Sequence, residues 1–237
     1  RFRYDVKTRH IYGYPGFERY AFSNGKVKEG IVRGAPEEDA RAEFELKSLD
    51  LTLDKTGSGR TNITDLPVME RPAEILAELE YRDPNGEIQT SSSKIPLWPS
   101  GRLIGIQPDS WMQSRDSLKF KTVVLDLEGK PLAGAAVKVD AFQRKTYSHR
   151  KRLVGGFYAY EHARETRLLG PVCEGRTDKR GILICANPSP ASGEVILQAV
   201  TLDEKGREAS ANLSTWVAGE NEWWFAASND DRMDLLP

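Results

Sequence analysis

Two stretches of the chain, EILAELEYRDPNGE (residues 74–87) and EVILQAVTLDEKGR (residues 194–207), align without a gap at an offset of 120 residues. Each reads as an apolar strand, an aspartate (Asp83, Asp203), a glycine three residues later (Gly86, Gly206), and a polar returning strand. That pattern is a β-hairpin whose turn is opened by Asp and closed by Gly. A repeat at half the chain length confines the fold to two copies of one β unit. Each copy is preceded by a further short hairpin half, GSGRTNITDLP in the first and TDKRGILICANPSP in the second. Each ends near a strand that carries a tryptophan, Trp98 or Trp216.

Strand periodicity extends beyond the repeat. Leu118, Phe120, Thr122 and Val124 alternate with Lys119 and Lys121. A turn at Gly129-Lys130-Pro131 follows, and Val137, Val139 and Ala141 then alternate with Lys138 and Asp140. Ala42, Phe44 and Leu46 alternate too, but the phase slips at Ser48 before Leu49, Leu51 and Leu53, which predicts a bulge or a break between two strands. The one helix candidate, PEEDA after residue 35, is too short to hold a helix by itself. The fold class expected is all-β, built as tandem antiparallel β-sandwiches. Pro99, Gly101 and Pro108 punctuate the boundary, giving units over residues 1–103 and 104–219 and the start of another over 220–237. The opening FRYDV resembles VKVDAF of the second unit, with nothing ahead of it to match LKFKTVVLDLEGKPLAGA. The first unit is therefore expected to lack its leading strand, and the chain to be an excerpt of a longer polypeptide.

Thirty-four basic and thirty-five acidic side chains nearly cancel, so no overall field favours nucleic acid or an anionic membrane. No apolar run approaches the roughly 18–20 residues that cross a bilayer. Apolar residues at 39% with charged residues at 29% read as a soluble globular chain.

Four stretches, DLEGKPLAGAAVKV, HRKRLVGGFYAYEH, LGPVCEGRTDKRGILIC and WVAGENEWWFAASNDDRMDLLP, resemble the bacterial alpha-2-macroglobulin family, the last two most specifically. The resemblance implies fibronectin-like or immunoglobulin-like macroglobulin domains. It also implies a periplasmic parent, anchored to a bacterial membrane, that traps attacking proteases after a bait segment is cut. Implied partners are neighbouring macroglobulin domains of the same chain, target proteases through the full-length protein, and proteins of peptidoglycan synthesis. Many relatives carry a Cys-x-Glu-Gln thioester. Neither cysteine here fits, since Cys173 precedes Glu-Gly-Arg and Cys185 precedes Ala-Asn-Pro. The competing reading is a cell-surface or cell-wall array whose sandwiches bind glycan.

Two thiols without a second pair, and His10, His149 and His162 away from ligand spacing, argue against a metal, and no cofactor is expected. Cys173 and Cys185 fit a disulfide across a strand–turn–strand hairpin, which implies an oxidising compartment; two buried free thiols are the alternative. Lys145, Arg150, Lys151 and Arg152 form a basic segment, either an exposed contact or a solvated loop, and the next glycines, Gly155 and Gly156, suggest a bulge. Trp98, Trp111, Trp216, Trp223 and Trp224 are expected in interdomain seams rather than on a sugar platform. His162 and Glu165 fall in an expected loop and make no catalytic set. No hydrolase, zinc-protease or phosphate-loop motif is present, so no catalytic residue is assigned and the segment is not expected to be an enzyme.

Overall fold

The computed structural model describes residues 1–11, 13–33, 47–64, 66, 68–152 and 158–219. Every regular element among them is a strand. The first half holds β1 (Phe2–Thr8), β2 (Ala21–Phe22), β3 (Gly30–Arg33), β4 (Lys47–Leu49), β5 (Ala73–Arg82) and β6 (Ile88–Leu97). The second holds β7 (Leu103–Pro108), β8 (Met112–Ser114), β9 (Leu118–Leu125), β10 (Ala136–Arg152), β11 (Tyr158–Arg176), β12 (Ile182–Asn187), β13 (Gly193–Leu202) and β14 (Glu208–Ala218).

The repeat is real in space. β5–β6 and β13–β14 are antiparallel hairpins, and β1 lies beside β5 as β10 lies beside β13. Their turns are built alike. The Asp83 carboxylate accepts the N–H groups of Asn85 and Glu87, and the Asp203 carboxylate those of Lys205 and Arg207. Gly86 and Gly206 take the positive φ that closes the turn without a Cβ clash. The same bonding recurs where it was not expected, at Asp54, Asp126 and Asp178, each with a positive-φ glycine three residues on. One local device, Asp-x-x-Gly, thus shapes five turns.

In the second unit, a sheet ordered β12-β9-β7-β2 packs on one ordered β3-β11-β10-β13-β14-β8. Leu118, Phe120 and Val124 meet Val137, Val139, Val195, Leu197 and Ala211 between the layers, all essentially without solvent contact. The alternation read along β9 and β10 is the one observed. The opposite face of β9 is buried as well: Val123 and Leu125 join Leu103, Tyr20 and Phe22 beneath the segment that carries Ile11, Tyr14 and Phe17. In the first unit the described strands form one sheet, β4-β1-β5-β6, whose core face of Tyr4, Val6, Ala73, Ile75 and Ala77 packs with Leu49, Ile63 and Met69.

Several expectations need correction. Residues 21–33, read as part of the first unit, hydrogen-bond into both sheets of the second, because β2 pairs with β7 and β3 with β11. The hairpin half expected ahead of β5 is irregular over residues 57–64, whereas its counterpart forms β12. The strand expected from Leu49 onward stops at that residue, and Leu51 and Leu53 instead pack against Gly59. His162 and Glu165 are strand residues of β11, not loop residues. The helix candidate and Gly155-Gly156 lie outside the described residues.

Candidate functional site

The geometry that bears on function lies where the first sheet meets the second sandwich. The linker between β6 and β7 is bonded directly to the β13–β14 turn. Asp203 Oδ2 accepts the Gly101 N–H at 2.8 Å and the Arg207 Nε–H at 2.8 Å. Arg102 donates to the Leu202 carbonyl at 2.7 Å, and Ser100 Oγ donates to the Arg207 carbonyl at 3.1 Å. The Gly101 N–H is the main influence holding the Asp203 carboxyl far below the usual carboxylate range. The Arg207 and Lys205 N–H groups and the Arg207 guanidinium reinforce it against partial desolvation. Asp203 therefore acts twice, shaping its own turn and gripping the linker.

A second tie is the strap from β2 to β3, which crosses the outer face of the larger sheet. Asn24 and Asn212 exchange side chain-to-backbone bonds at 2.8 and 2.7 Å, and Asn212 Nδ2 also donates to the Gly25 carbonyl. Lys26 pairs with Glu208 at 2.9 Å, the Val27 N–H donates to Gln198 Oε1, and the Leu168 N–H donates to Glu29. The strap starts at Phe22, whose ring lies on Gly105 of β7. A Cβ on Gly105 would stand 2.7 Å from that ring, so only glycine admits it.

The third tie is aromatic. Trp98, at the end of β6, packs with Tyr20, Phe22, Leu103 and Leu125, and the Arg9 guanidinium sits 5.2 Å from its ring centre. Trp98 is half-buried there. Trp111 is 65% exposed, and its carbonyl accepts the Trp216 N–H. Trp216 is half-buried in β14, and its indole Nε1 is out of solvent with no hydrogen-bond partner among the described residues. Trp223 and Trp224 lie outside the described residues.

Cys173 and Cys185 are joined by a disulfide, with Cα atoms 6.2 Å apart. Its setting differs from the expected hairpin. β11 belongs to the six-stranded sheet and β12 to the four-stranded one, so the bond ties the two layers together. The Asp178 turn between them carries the chain from one sheet to the other. Cys185 is buried in the interlayer core.

The basic segment is a strand rather than a loop. Residues 145–152 pair with 158–165 across β10 and β11; β13 reaches only as far as Arg144 and β3 flanks β11 only over residues 163–166, so from Ser148 and His162 outward the hairpin is two-stranded among the described residues. Lys145 and Arg150 are exposed on it; the side chains of Lys151 and Arg152 lie outside the described residues. Tyr147 donates to Glu165 at 2.9 Å, which raises the phenol pKa, and Ser148 Oγ lies 2.9 Å from His162 Nδ1. Among the described residues no three His, Cys, Asp or Glu side chains gather as metal ligands.

The sequence marked Asp203 only as a turn residue and Gly101 only as a boundary residue, and did not point to Arg207, Arg102 or the Asn24–Asn212 pair. The recurrence of Asp-x-x-Gly was a signal for the turn, while nothing in the sequence marks the asparagine pair.

No protein-family model matches the chain, and no curated protein sequence does. Its fold is that of a segment of bacterial alpha-2-macroglobulins. The native conformation of Escherichia coli alpha-2-macroglobulin superposes with a TM-score of 0.57 over 92% of this chain at 12% identity. Salmonella alpha-2-macroglobulin reacted with methylamine gives 0.55 over 91% at 13% identity. Escherichia coli alpha-2-macroglobulin activated by porcine elastase gives 0.52 over 93% at 14% identity. The chain spans 14%, 14% and 19% of those proteins, respectively.

Proposed function

We propose that this chain is a structural scaffold segment of a periplasmic alpha-2-macroglobulin-like endopeptidase inhibitor, holding neighbouring macroglobulin domains at a fixed angle while the whole protein traps the protease. The observation that carries the reading is the junction: Asp203 grips the linker, Trp98 at the end of β6 packs against the second unit's aromatic cluster, and the chain after β1 leaves the first sheet to pair with both sheets of the second sandwich. A chain of loosely strung modules has no need of these bonds, since small interdomain contacts leave relative motion as the default. The shared fold agrees with the reading, and the disulfide suits an oxidising compartment such as the periplasm. The glycan-array alternative calls for aromatic rings gathered on an open face, whereas Tyr20 and Phe22 are buried and Trp98 packs against their cluster.

Trapping needs a bait, a large conformational change, and enough domains to enclose an enzyme. One unit of about 100 residues has a radius of gyration near 13 Å, too small to surround a protease of similar size. The purified chain incubated with several endopeptidases should therefore neither cleave peptides nor shield a large protein substrate from them. Stoichiometric protection by the chain alone would show a complete inhibitory site within it and refute the scaffold reading.

A further inference from the structure

Between the end of β1, the strap and the outer face of the six-stranded sheet lies an open groove of about 590 Å³, within the roughly 300–1,000 Å³ typical of ligand sites. Its charge is one-sided. Arg9, Lys26, Lys28, Arg71, Arg144 and Arg164 line it, with His10, and among the described residues no aspartate or glutamate does. Two of these cations are already balanced from outside the groove, Lys26 by Glu208 and Arg144 by Glu194. Arg9 rests on the Trp98 ring without a carboxylate, and Lys28 and Arg164 are exposed with no ion pair among the described residues. The chain as a whole is nearly neutral, so this local excess is a property of the fold rather than of composition.

We propose that the groove is a docking site for an extended acidic peptide of a partner protein, its carboxylates meeting Lys28, Arg164 and Arg9. Two further observations favour a peptide over a phosphate polymer or a sulfated glycan. Apolar side chains of Ile11, Phe22, Val27 and Val32 are interleaved with the cations, which suits alternating apolar and acidic residues. β3, at the groove's rim, is the outer strand of its sheet among the described residues, and its Val32, 60% exposed, lines the groove, so a guest strand finds edge backbone groups and an apolar contact there. Arg164 and Thr166 project from the neighbouring β11 into the same groove, giving the guest a charged and a hydroxyl contact on its floor. The site goes beyond the scaffold role and does not depend on it: the groove exists whether or not the parent traps proteases.

The test is fluorescence anisotropy of a labelled ten-residue peptide alternating Val and Glu, titrated with the 237-residue chain at low and at roughly 0.3 M salt. A Val-Gln peptide of equal length is the neutral control. The expected result is binding at least about tenfold tighter for the Glu peptide, weakened by salt. It should be lost about tenfold or more in the Lys28→Glu/Arg164→Glu double variant and retained in a Lys130→Glu/Lys179→Glu variant, whose reversed charges lie outside the groove. Matching unfolding midpoints would show that both variants fold. Absence of binding, equal binding of the Gln peptide, or an undiminished affinity in the groove variant would overturn the proposal. Tighter binding of a polyphosphate of matched charge would overturn it in favour of a non-peptide polyanion.

Discussion

Removing the inter-layer disulfide should destabilise the second unit far more than the first. Replacing both cysteines, Cys173→Ala with Cys185→Ala, opens a loop of 13 residues, from a sequence separation of 12. In the chain-entropy account a loop of that size contributes about 3 kcal/mol. Cys185 also sits in the interlayer core at 2% exposure, so loss of its sulfur adds a packing cost of about 1 kcal/mol. A unit of about 115 residues unfolds with an entropy of roughly 240 cal/mol/K, so the combined loss of about 4 kcal/mol corresponds to a fall in Tm of roughly 17 °C. Scanning calorimetry under non-reducing conditions reads this, with the lost stability confined to the transition of the second unit. Each single Cys→Ala variant should lose nearly as much as the double, since either one breaks the bond. A fall of under about 3 °C in the double variant would refute the argument that the bond holds the β11 and β12 layers together.

Three other outcomes follow from the junction. Asp203→Ala should expose the linker, so limited trypsin digestion should cut after Arg102 at least about tenfold faster than in wild type; an unchanged rate would count against the grip. Because Asp203 is held below its unfolded pKa near 3.9, its contribution is complete above about pH 4 and lost as pH falls toward the folded value. The stability gap between wild type and Asp203→Asn, followed by urea unfolding, should therefore narrow between about pH 5 and pH 2, and a gap that widens would contradict the sign. Gly105→Ala should cost about 1–3 kcal/mol by driving a Cβ into the Phe22 ring, and most of that penalty should vanish in a Phe22→Ala background, as chemical denaturation of the double-mutant set can show.

What the sequence revealed follows the range of the forces involved. Strand alternation from Leu118 to Ala141 and the Asp-Gly turns are local, set by period and by φ, and they were legible. The cysteine pair was legible as a bond but not as a bridge between sheets, because the eleven intervening residues do not say on which layer each strand lies. The strap was hidden for the same reason. Ala21-Phe22 and residues 30–33 are short, and their partners, β7 and β11, lie about 80 and 130 residues downstream, pairings that no periodicity encodes. Trp98 and Trp111 have the same side chain, and only the close approach of Phe22 and Tyr20 decides which one is covered. Asp203 has the same turn chemistry as Asp83. Its additional role arises because the linker passes within 2.8 Å of its second oxygen.

The central claim, that the two units are held at one angle, is tested most directly by pulsed electron–electron resonance between spin labels at Ser92 on β6 and Lys130 in the turn after β9, both exposed. With the Cys173–Cys185 bond intact, a fixed junction predicts a single narrow distance distribution that broadens when Asp203 is replaced by Ala. A broad distribution in the wild-type chain, indistinguishable from that of the variant, would contradict the claim, for the units would then be strung rather than held.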